Sequence, residues 1–298
     1  MTSVDIILPT RNRCDSLAQT LDFLASLNVQ SFGEVRVIIV DNGSTDQTKS
    51  VVEASQVKYR IPQFIYLFES KPGRAAALNA GVRASTAEVL AFTDDDVAPH
   101  AGWLDELCLP IAEAKVDGQS GPLVADPSRV RPGVPDGTYD TVQFFGSNSG
   151  TGPDFVGANM ALSRKIFDVG LIYDEELGAG ASGYGEDTLL AQAARAKGFN
   201  LTWNPNLSLV HQFDTKRLER GHQIRACELK GETYALLEKR SGRVNRLKVF
   251  AAFLMYRHKL STWRRRNQAL IADFGISRSE ARLIIKFAQY RQLLGRKS

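Results

Sequence analysis

In the first part of the chain, hydrophobic residues form short runs rich in Val, Ile and Leu, and these alternate with stretches of helical periodicity. The runs predict strands at residues 4–8, 35–40, 64–67 and 89–92. The stretches between them predict helices capped by Asp15, begun by a Ser44/Gln47 capping box, and covering residues 75–84. This alternation predicts an α/β fold with helices on both faces of the sheet.

The pattern loosens in the middle of the chain. Eleven of the 24 glycines lie within residues 133–185, which predicts long loops there. A helix is then predicted to begin near Glu186 and to end before Gly198. Short apolar runs at residues 200–203 and 207–210 predict strands that complete the sheet.

Charge divides the chain into two parts. Residues 1–215 carry 16 Lys and Arg against 27 Asp and Glu, a net charge of −11, whereas residues 216–298 carry 21 against 6, a net charge of +15. The basic part also has apolar residues at helical spacing. We therefore predict a domain at residues 1–215 and a basic helical region at residues 216–298, the latter facing an anionic partner.

Composition excludes some classes of protein. The chain has 298 residues, of which 43% are hydrophobic, and its longest apolar stretch, residues 249–256, is too short to span a bilayer. Cys14, Cys108 and Cys227 are too scattered for a paired metal motif or a disulfide framework. These features predict a soluble cytoplasmic protein with structural thiols.

Polar residues follow several predicted strands, at the sheet edge where α/β proteins bind ligands. Pro9, Thr10 and Arg11 come at the end of the first strand, and Asp41 ends the second. A buried carboxylate such as Asp41 needs a hydrogen-bond donor, for which the imide N–H of uracil is suitable. The alternative is that Asp41 holds the turn formed by the residues after it. A dinucleotide-binding GxGxxG sequence is missing after the first strand.

Three consecutive carboxylates, Asp94, Asp95 and Asp96, follow the strand at residues 89–92. They repel one another unless a cation neutralises them, and oxygen ligands of this kind suit Mg²⁺ or Mn²⁺. His211 follows a later predicted strand and could complete the metal shell. The alternatives are a solvated acidic loop and a hydrogen-bonded surface histidine.

Glu186 and Asp187 lie at the predicted start of a helix, directly after a glycine-rich segment. Carboxylates at this position stabilise a helix dipole, and they also suit a general base beside a mobile loop. Local sequence leaves both interpretations open.

Together these segments resemble the family 2 glycosyltransferases, which are inverting enzymes with the GT-A fold. The resemblance covers about residues 4–213, and the matching segments are ILPTRNR, VDNGSTD, KPGRAAALNAG, FTDDDV, GANMALSR and GEDTLL, with the late His211. It implies a GT-A mixed sheet with helices on both faces, followed by the basic helical region. It also implies a transferase that passes a hexose or N-acetylhexosamine from a nucleotide-sugar.

The resemblance assigns roles to individual residues. The implied donor contacts are Pro9, Thr10, Arg11, Asp41, Arg74, Asn79, Asp94 and Asp95, with Asp41 binding uracil and Asp95 at the variable middle position of the DxD motif. Asp94, Asp96 and, in part of the family, His211 correspond to metal or diphosphate contacts. Gly157, Ala158, Asn159 and Glu186 correspond to the sugar and acceptor pocket. Asp187 matches the general base.

The implied partners are a UDP-sugar and a glycan, a lipid-linked glycan or a small-molecule acceptor. A nucleotidyltransferase is the nearest alternative, although its glycine-rich loop after the first strand is missing here, and a non-catalytic sugar-binding protein is another. Nucleic acid is not expected, because the enzyme motifs lie in an acidic region. The basic region predicts either helices that pack on the rest of the protein or peripheral contact with an anionic membrane.

Overall fold

The computed structural model describes residues 1–60, 62–135, 137–141, 155–242, 244–268 and 273–296. These residues form two compact units. The sheet unit comprises the described residues within Met1–Asp126, Gln143–Glu175 and Glu186–Gln212. The helical unit comprises those within Pro127–Val142, Glu176–Gly185 and Phe213–Ser298. The helical unit thus draws short segments from before residue 215, and the sequence boundary at that residue remains a prediction.

The sheet unit contains ten strands and six helices among its described residues. The strands are β1 (Ser3–Thr10), β2 (Glu34–Asp41), β3 (Gln63–Phe68), β4 (Val89–Thr93), β5 (Val97–Ala98), β6 (Gly118–Ser120), β7 (Leu123–Ala125), β8 (Asn159–Ser163), β9 (Leu201–Trp203) and β10 (Leu209–His211). The helices are α1 (Cys14–Ala25), α2 (Thr48–Lys58), α3 (Arg74–Ala84), α4 (Trp103–Ala112), α5 (Arg164–Asp168) and α6 (Glu186–Ala196).

The main sheet has seven strands in the order β3-β2-β1-β4-β8-β6-β9. β8 runs antiparallel to both of its neighbours, and the other pairs are parallel. Two separate clusters of buried apolar side chains pack against the sheet, which matches helices on both faces. The structure therefore confirms the predicted α/β fold with a mixed sheet.

Burial on both faces explains why the central strands read as nearly continuous hydrophobic runs. In β1 every residue from Val4 to Thr10 is buried. The charged exception, Asp5, lies opposite Arg36 in the parallel ladder and accepts two hydrogen bonds from its guanidinium, at 2.7 and 2.6 Å. A cross-strand ion pair thus makes a buried carboxylate tolerable in the middle of the sheet.

A second, three-stranded sheet has the order β5-β10-β7. β10 pairs antiparallel with β5 and parallel with β7, and it places His211 opposite Val97. The prediction that residues 207–210 complete the main sheet is therefore wrong. These strands are two or three residues long, so their sequences carry too little periodicity to reveal the pairing.

The predicted helix starts need correction. Asp15 lies inside the first turn of α1, and the N-cap residue is Arg13 without a side-chain cap bond. α2 begins at Thr48, where Asp46 Oδ1 accepts from the Thr48 amide and hydroxyl at 3.1 and 2.6 Å. Asp46 thus replaces the predicted Ser44/Gln47 capping box. Of the predicted long loops, residues 142–154 lie outside the described residues, and β8 and α5 occupy residues 159–168.

The helical unit contains three long helices, α7 (Arg220–Arg240), α8 (Arg246–Arg266) and α9 (Arg278–Leu293), which confirms the helical C-terminal region. α8 packs on α9 through two stacked aromatic pairs, Phe253 with Phe287 at 5.4 Å and Tyr256 with Tyr290 at 5.5 Å between ring centroids. In the part of the chain that the structure describes, no helix combines the length and apolar character that crossing a membrane requires.

Candidate active site

The carboxyl ends of β1, β2 and β4 and the first turns of α3 and α6 carry most of the predicted site residues. At the end of β1, Pro9 and Thr10 are buried and Arg11 is exposed. Parallel pairing of β1 with β2 and β4 aligns these ends, so side chains distant in sequence become neighbours. Ion pairs of Arg74 bring the Asp94–Asp96 triplet and the Glu186–Asp187 pair together.

The acidic triplet is tied to the start of α1 by several hydrogen bonds. Thr10 Oγ1 donates to Asp95 Oδ2 at 2.7 Å, and Ser16 Oγ donates to the Asp95 carbonyl at 2.8 Å. Arg13 Nη1 lies between two carboxylates, 3.0 Å from Asp95 Oδ1 and 2.6 Å from Asp96 Oδ2. A guanidinium therefore balances part of the negative charge that the sequence places here.

The electrostatics of this cluster show that negative charge remains in excess. Burial raises the pKa of Asp95 to about 6; the Arg13 charge opposes this shift, while Asp96 and Asp94 add to it. Burial works to lower the pKa of Arg13, but the charges of Asp95 and Asp96 outweigh it and hold that pKa above its ordinary value. Arg13 and, beside Asp94, Arg74 supply two positive charges to three adjacent carboxylates, and Arg74 is shared with Glu186, so the cluster favours an additional cation.

His211 lies beside the triplet because of the small sheet. Pairing of β10 with β5 places it next to Asp96, with His211 Nε2 3.2 Å from Asp96 Oδ2, and the Gln212 amide donates to the Asp96 carbonyl at 2.7 Å. Both side chains are almost fully buried. The structure therefore pairs two of the three predicted metal ligands.

Arg74, the first residue of α3, joins the triplet to the start of α6. Its Nη2 lies 2.7 Å from Asp94 Oδ1, and its Nη1 lies 2.7 Å from Glu186 Oε1. Burial works to lower the pKa of Arg74, but Asp94, Glu186 and Asp187 outweigh it and raise the pKa well above its ordinary value. Arg74 therefore stays charged and holds carboxylates from two distant segments at fixed separation.

Asp187 is held by backbone amides. Its Oδ2 accepts from the Gly157 amide and its Oδ1 from the Thr188 amide, both at 2.7 Å. The pKa of Asp187 is raised to about 6, because desolvation and then the charge of Glu186 raise it by more than Arg74 and the two amides lower it. A carboxylate with this pKa is ionised at neutral pH and still accepts a proton readily, as a general base requires.

Gly157 is required by the close approach of these groups. A Cβ atom at this position would lie 2.9 Å from both terminal nitrogens of Arg74 and 3.1 Å from Asp187 Oδ2. Such contacts are tighter than side chains tolerate without displacement. The glycine therefore lets the backbone amide reach Asp187 while Arg74 passes beside it.

Asp41 is buried at the end of β2, and donors within the protein contact both of its oxygens. The Ser44 amide donates to Oδ1 at 2.8 Å, and the Tyr66 hydroxyl donates to Oδ2 at 2.8 Å. Asp41 therefore holds the turn after β2, the alternative considered from the sequence. The argument that it needs an external donor is wrong, and its contact with uracil stays a prediction that rests on the resemblance.

The predicted donor contact Asn79 and the predicted pocket residues Ala158 and Asn159 all bond to other parts of the protein. Both amide atoms of Asn79 bond to the segment after α5, with Nδ2 2.9 Å from the Tyr173 carbonyl and Oδ1 2.9 Å from the Tyr173 amide. Asn159 is fully buried and bonds to Trp103 Nε1 and to two backbone carbonyls. Ala158 is also buried, and its carbonyl accepts from Thr93 Oγ1 at 3.0 Å. Their assigned ligand contacts remain predictions.

The residues around Asp96 offer oxygen and nitrogen ligands for a divalent cation. Within the described ranges, no group of three or more His, Cys, Asp and Glu side chains has the arrangement of a metal site. Asp96 Oδ2 lies 3.2 Å from His211 Nε2 and 2.6 Å from Arg13 Nη1, so this oxygen already has two partners within the protein. A carboxylate and an imidazole beside further carboxylates fit Mg²⁺ or Mn²⁺ chemically.

Sequence reasoning missed two side chains of this site. Arg13 contacts two members of the acidic triplet, and Tyr66 contacts Asp41. Arg13 could have been found, because it lies four residues after Pro9 in a segment that had to turn at the same sheet edge. Tyr66 gave no such signal, since an aromatic residue inside a strand is ordinarily part of the core.

The amino-acid sequence of the chain matches a known family. The family model described as "Glycosyl transferase family 2" matches residues 5–171, more than half of the chain. The glycosyltransferase AglE of Haloferax volcanii is 31% identical over 114 residues, which are 38% of this chain and 37% of AglE. The chain therefore matches well under two thirds of that relative.

Solved structures share the fold. A mannosyltransferase from Pyrobaculum calidifontis, PcManGT, superposes with a TM-score of 0.60 at 22% identity, covering 79% of this chain and 64% of that one. A glucosyl-3-phosphoglycerate synthase from Mycobacterium tuberculosis gives a TM-score of 0.56 at 18% identity, covering 82% and 81%. At these identities the likeness concerns the fold. Together with the family match over residues 5–171, it shows that this chain belongs to glycosyl transferase family 2.

Proposed function

We propose that the protein is an inverting, cation-dependent glycosyltransferase that passes a hexose or N-acetylhexosamine from a UDP-sugar to a hydroxyl of a glycan, a lipid-linked glycan or a small-molecule acceptor. The observation that carries this proposal is the position of Arg74 between Asp94 and Glu186, at 2.7 Å from each. It links the carboxylates assigned to the donor diphosphate with the helix that carries the assigned base, Asp187. Donor and acceptor chemistry thereby share one hydrogen-bonded network.

Similar proteins support the donor class. PcManGT was solved with GDP-Man and Mn²⁺, and the M. tuberculosis synthase with Mn²⁺, UDP-Glc and phosphoglyceric acid. Both are complexes with a nucleoside diphosphate sugar and Mn²⁺. For this chain we favour uridine because Asp41 resembles the family's uracil-binding aspartate, and each of its carboxylate oxygens keeps a second lone pair after accepting from Ser44 or Tyr66.

Asp187 is the base in the proposed reaction. It takes the proton from the acceptor hydroxyl as that oxygen bonds to the anomeric carbon of the donor. The bond between the anomeric carbon and the diphosphate oxygen breaks on the opposite face, so the configuration inverts. The Gly157 and Thr188 amides orient the Asp187 carboxylate. Arg74 places positive charge near the departing diphosphate.

Asp96 and His211, with Asp94 nearby, are the residues that would hold a divalent cation. When bound, such an ion would neutralise the charge that gathers on the leaving diphosphate. Arg13 is a counter-charge to Asp95 and Asp96 and keeps their two carboxylates close together.

A ligand screen tests the proposal. UDP-, GDP- and dTDP-sugars are added with Mn²⁺ or with excess chelator, and the melting temperature is followed. We expect stabilisation by UDP-sugars with Mn²⁺, lost on chelation and in Asp96→Ala. The matched control is Asp168→Ala, an exposed carboxylate at the end of α5. Unchanged UDP-sugar binding in Asp96→Ala would overturn the cation assignment, and stabilisation by GDP-sugars alone would overturn the uridine assignment.

Product analysis separates the proposal from its alternatives. With a stabilising donor and a mixture of glycan acceptors, a transferase releases nucleoside diphosphate in step with the glycosylated product. A nucleotidyltransferase would instead exchange labelled pyrophosphate into a nucleoside triphosphate, and a sugar-binding protein without catalysis would leave the donor intact. Either of the last two results contradicts transfer.

A further inference from the structure

We propose that α8 of the helical unit carries a docking surface for an anionic lipid membrane. This surface, which we call the α8 face, consists of Leu247, Phe250, Leu254 and Met255 together with the basic residues that border them. Docking to lipid is independent of glycosyl transfer and can be measured without that reaction.

The opposite side of α8 is already used for packing. Val249, Phe253 and Leu260 are buried, and Phe253 and Tyr256 stack on aromatic rings of α9. Successive residues of an α-helix are about 100° apart, which places these four side chains within one sector. A helix that only packed on its neighbours would be polar on its remaining surface.

The α8 face does not follow that expectation. Leu247, Phe250, Leu254 and Met255 are exposed by 83%, 44%, 45% and 42%. On the helix, Leu247 and Leu254 lie about 20° apart and almost opposite the buried sector, with Phe250 and Met255 on either side. Four large apolar side chains exposed within nine residues form a stripe, which marks an interaction site more often than scattered apolar residues do.

Basic residues border this stripe on both sides. At about 100° per residue, Arg246 and Arg257 lie along one edge and Lys248 and Lys259 along the other, and all four are exposed. The 21 residues of α8 include seven Lys and Arg and no Asp or Glu. An apolar stripe between cationic edges is the arrangement of helices that lie in the headgroup layer of anionic membranes.

The structure shows which basic residues of α8 are available to a lipid surface. Arg264 Nε lies 3.2 Å from Glu280 Oε1, so this guanidinium is engaged within the helical unit. Arg265 is exposed at nearly the same angle as Leu247 and continues the α8 face towards the helix end. The lipid-facing charges are therefore those near Lys248, Arg257 and Arg265.

Charge favours lipid over a second copy of this chain. Two α8 faces brought together would oppose their cationic edges at short range without a carboxylate from either helix. Anionic headgroups complement both edges while the acyl region accepts the apolar stripe. We therefore commit to anionic lipid as the occupant and treat self-association as an outcome that would contradict it.

Co-sedimentation of the full chain with vesicles tests the apolar stripe. We expect binding to phosphatidylserine-containing vesicles, little binding to pure phosphatidylcholine, and a reduction of about tenfold or more in Leu247→Gln/Leu254→Gln. The matched control is Val57→Gln/Ile172→Gln, two exposed apolar residues of the sheet unit. Equal binding by the two double variants, or no binding of wild type at low salt, overturns the proposal.

The charged edges are tested separately. Replacing Lys248, Arg257 and Arg265 by Gln removes three charges and should weaken binding by a factor on the order of 10² at low salt, with a smaller effect at high salt. The matched control replaces three exposed basic residues of the sheet unit, namely Arg60, Lys165 and Lys197. An equal loss in the control would reduce the effect to net charge and contradict a localised surface.

A fluorescence measurement keeps the proposal testable if the polar variants fold poorly. Leu254→Trp places a reporter on the α8 face, and Tyr234→Trp places one at an exposed site of α7. Vesicles with brominated acyl chains should quench the added fluorescence of Leu254→Trp and leave that of Tyr234→Trp unchanged. Equal quenching contradicts the assigned face. A concentration-dependent dimer without lipid that is lost in Leu247→Gln/Leu254→Gln would assign the face to self-association.

Discussion

Both units contain buried carboxylates that bind arginines, but the proportions are opposite. In the sheet unit, Asp94, Asp95, Asp96 and Glu186 share the guanidiniums of Arg13 and Arg74. In the helical unit, a single fully buried carboxylate, Glu280, binds two guanidiniums. Its Oε1 lies 2.5 Å from Arg220 Nη2 and 3.2 Å from Arg264 Nε.

The difference separates a reactive cluster from a structural one. The sheet unit has more carboxylates than cations, and the pKa values of Asp95 and Asp187 rise to about 6 because burial and like charges disfavour ionisation. Glu280 instead holds two guanidiniums of the helical unit at one oxygen, Oε1. Excess buried negative charge favours the binding of a cationic ligand. Two arginines on one carboxylate instead link helices, because Arg220 of α7 and Arg264 of α8 both bind Glu280 of α9.

The largest expected effect is on turnover, when the proposed base Asp187 in the sheet unit is changed. Asp187→Asn keeps the shape of the side chain but removes its basicity, so turnover should fall by a factor on the order of 10² to 10⁴ while donor binding persists. Steady-state kinetics and donor titration measure the two effects. Turnover close to wild type would move the base elsewhere, with Glu186 as the first candidate.

The pH dependence of turnover checks the same assignment independently. Because burial raises the pKa of Asp187 to about 6, the ionised base is lost below that pH, and kcat/KM should decline towards tenfold per pH unit. A profile that stays flat from pH 7 to pH 5 would contradict the assignment of Asp187.

The next largest effect is expected on donor affinity and turnover, when Arg74, which joins Asp94 to Glu186, is changed. Arg74→Gln leaves Asp94 and Glu186 without their shared cation, so donor affinity and turnover should both fall, by roughly 10- to 100-fold. Arg83→Gln is the matched control, because that arginine lies on the same helix but meets Glu69 at an exposed pair, 3.5 Å apart. Equal losses in both variants would show that α3 stability, not the Arg74 link, matters.

The corresponding change in the helical unit should affect stability and not catalysis. Glu280→Gln leaves Arg220 and Arg264 without a counter-charge, and the free energy of unfolding should fall by about 3 kcal/mol. Asp140→Asn breaks an exposed pair with Arg278 in the same unit and should cost less than about 1 kcal/mol. Denaturant titration compares the two, and equal costs would contradict a structural role specific to Glu280.

A further effect concerns how the free energy of unfolding varies with pH. Asp187 has an ordinary pKa of 3.8, raised to about 6 in the folded protein, so the folded state binds its proton more tightly than the unfolded state. Its contribution to stability is complete below pH 3.8 and is lost as the pH rises through about 6. Relative to Asp187→Asn, wild type should therefore lose stability between pH 4 and pH 7 in denaturant titrations. A constant difference between the two proteins would contradict the raised pKa.

Sequence alone predicted the parts of this architecture that depend on local pattern. The runs of buried residues identified the central strands, and Asp41 and Asp94 lie where strands end because the polar sequence begins there. Local pattern placed the start of α6 near Glu186, whereas the role of Asp187 as base came from the resemblance and stays a prediction. These predictions succeed because strand ends and helix starts leave signals within a few residues.

The contacts that the sequence did not reveal join residues that are distant along the chain. The roles of Asn79 and Asn159 could not be seen, because a pattern does not tell whether an amide side chain meets a ligand or a neighbouring backbone. The bridge from Arg74 to Asp94 and Glu186 joins residues as many as 112 positions apart. Such pairings follow from tertiary packing, which local propensity does not determine.

The pairing of β10 with β5 also has a consequence for the order in which the site is completed. His211 lies 115 positions after Asp96, whereas Arg13 and Arg74 precede the acidic triplet in the chain. During synthesis from the N-terminus, the three carboxylates therefore emerge after both of their guanidinium partners. The imidazole of His211 is synthesised more than a hundred residues later. The pairing of the short strands β5 and β10 must then offset the entropy cost of closing a long loop. The nascent protein thus carries its counter-charges before its last candidate ligand has been made.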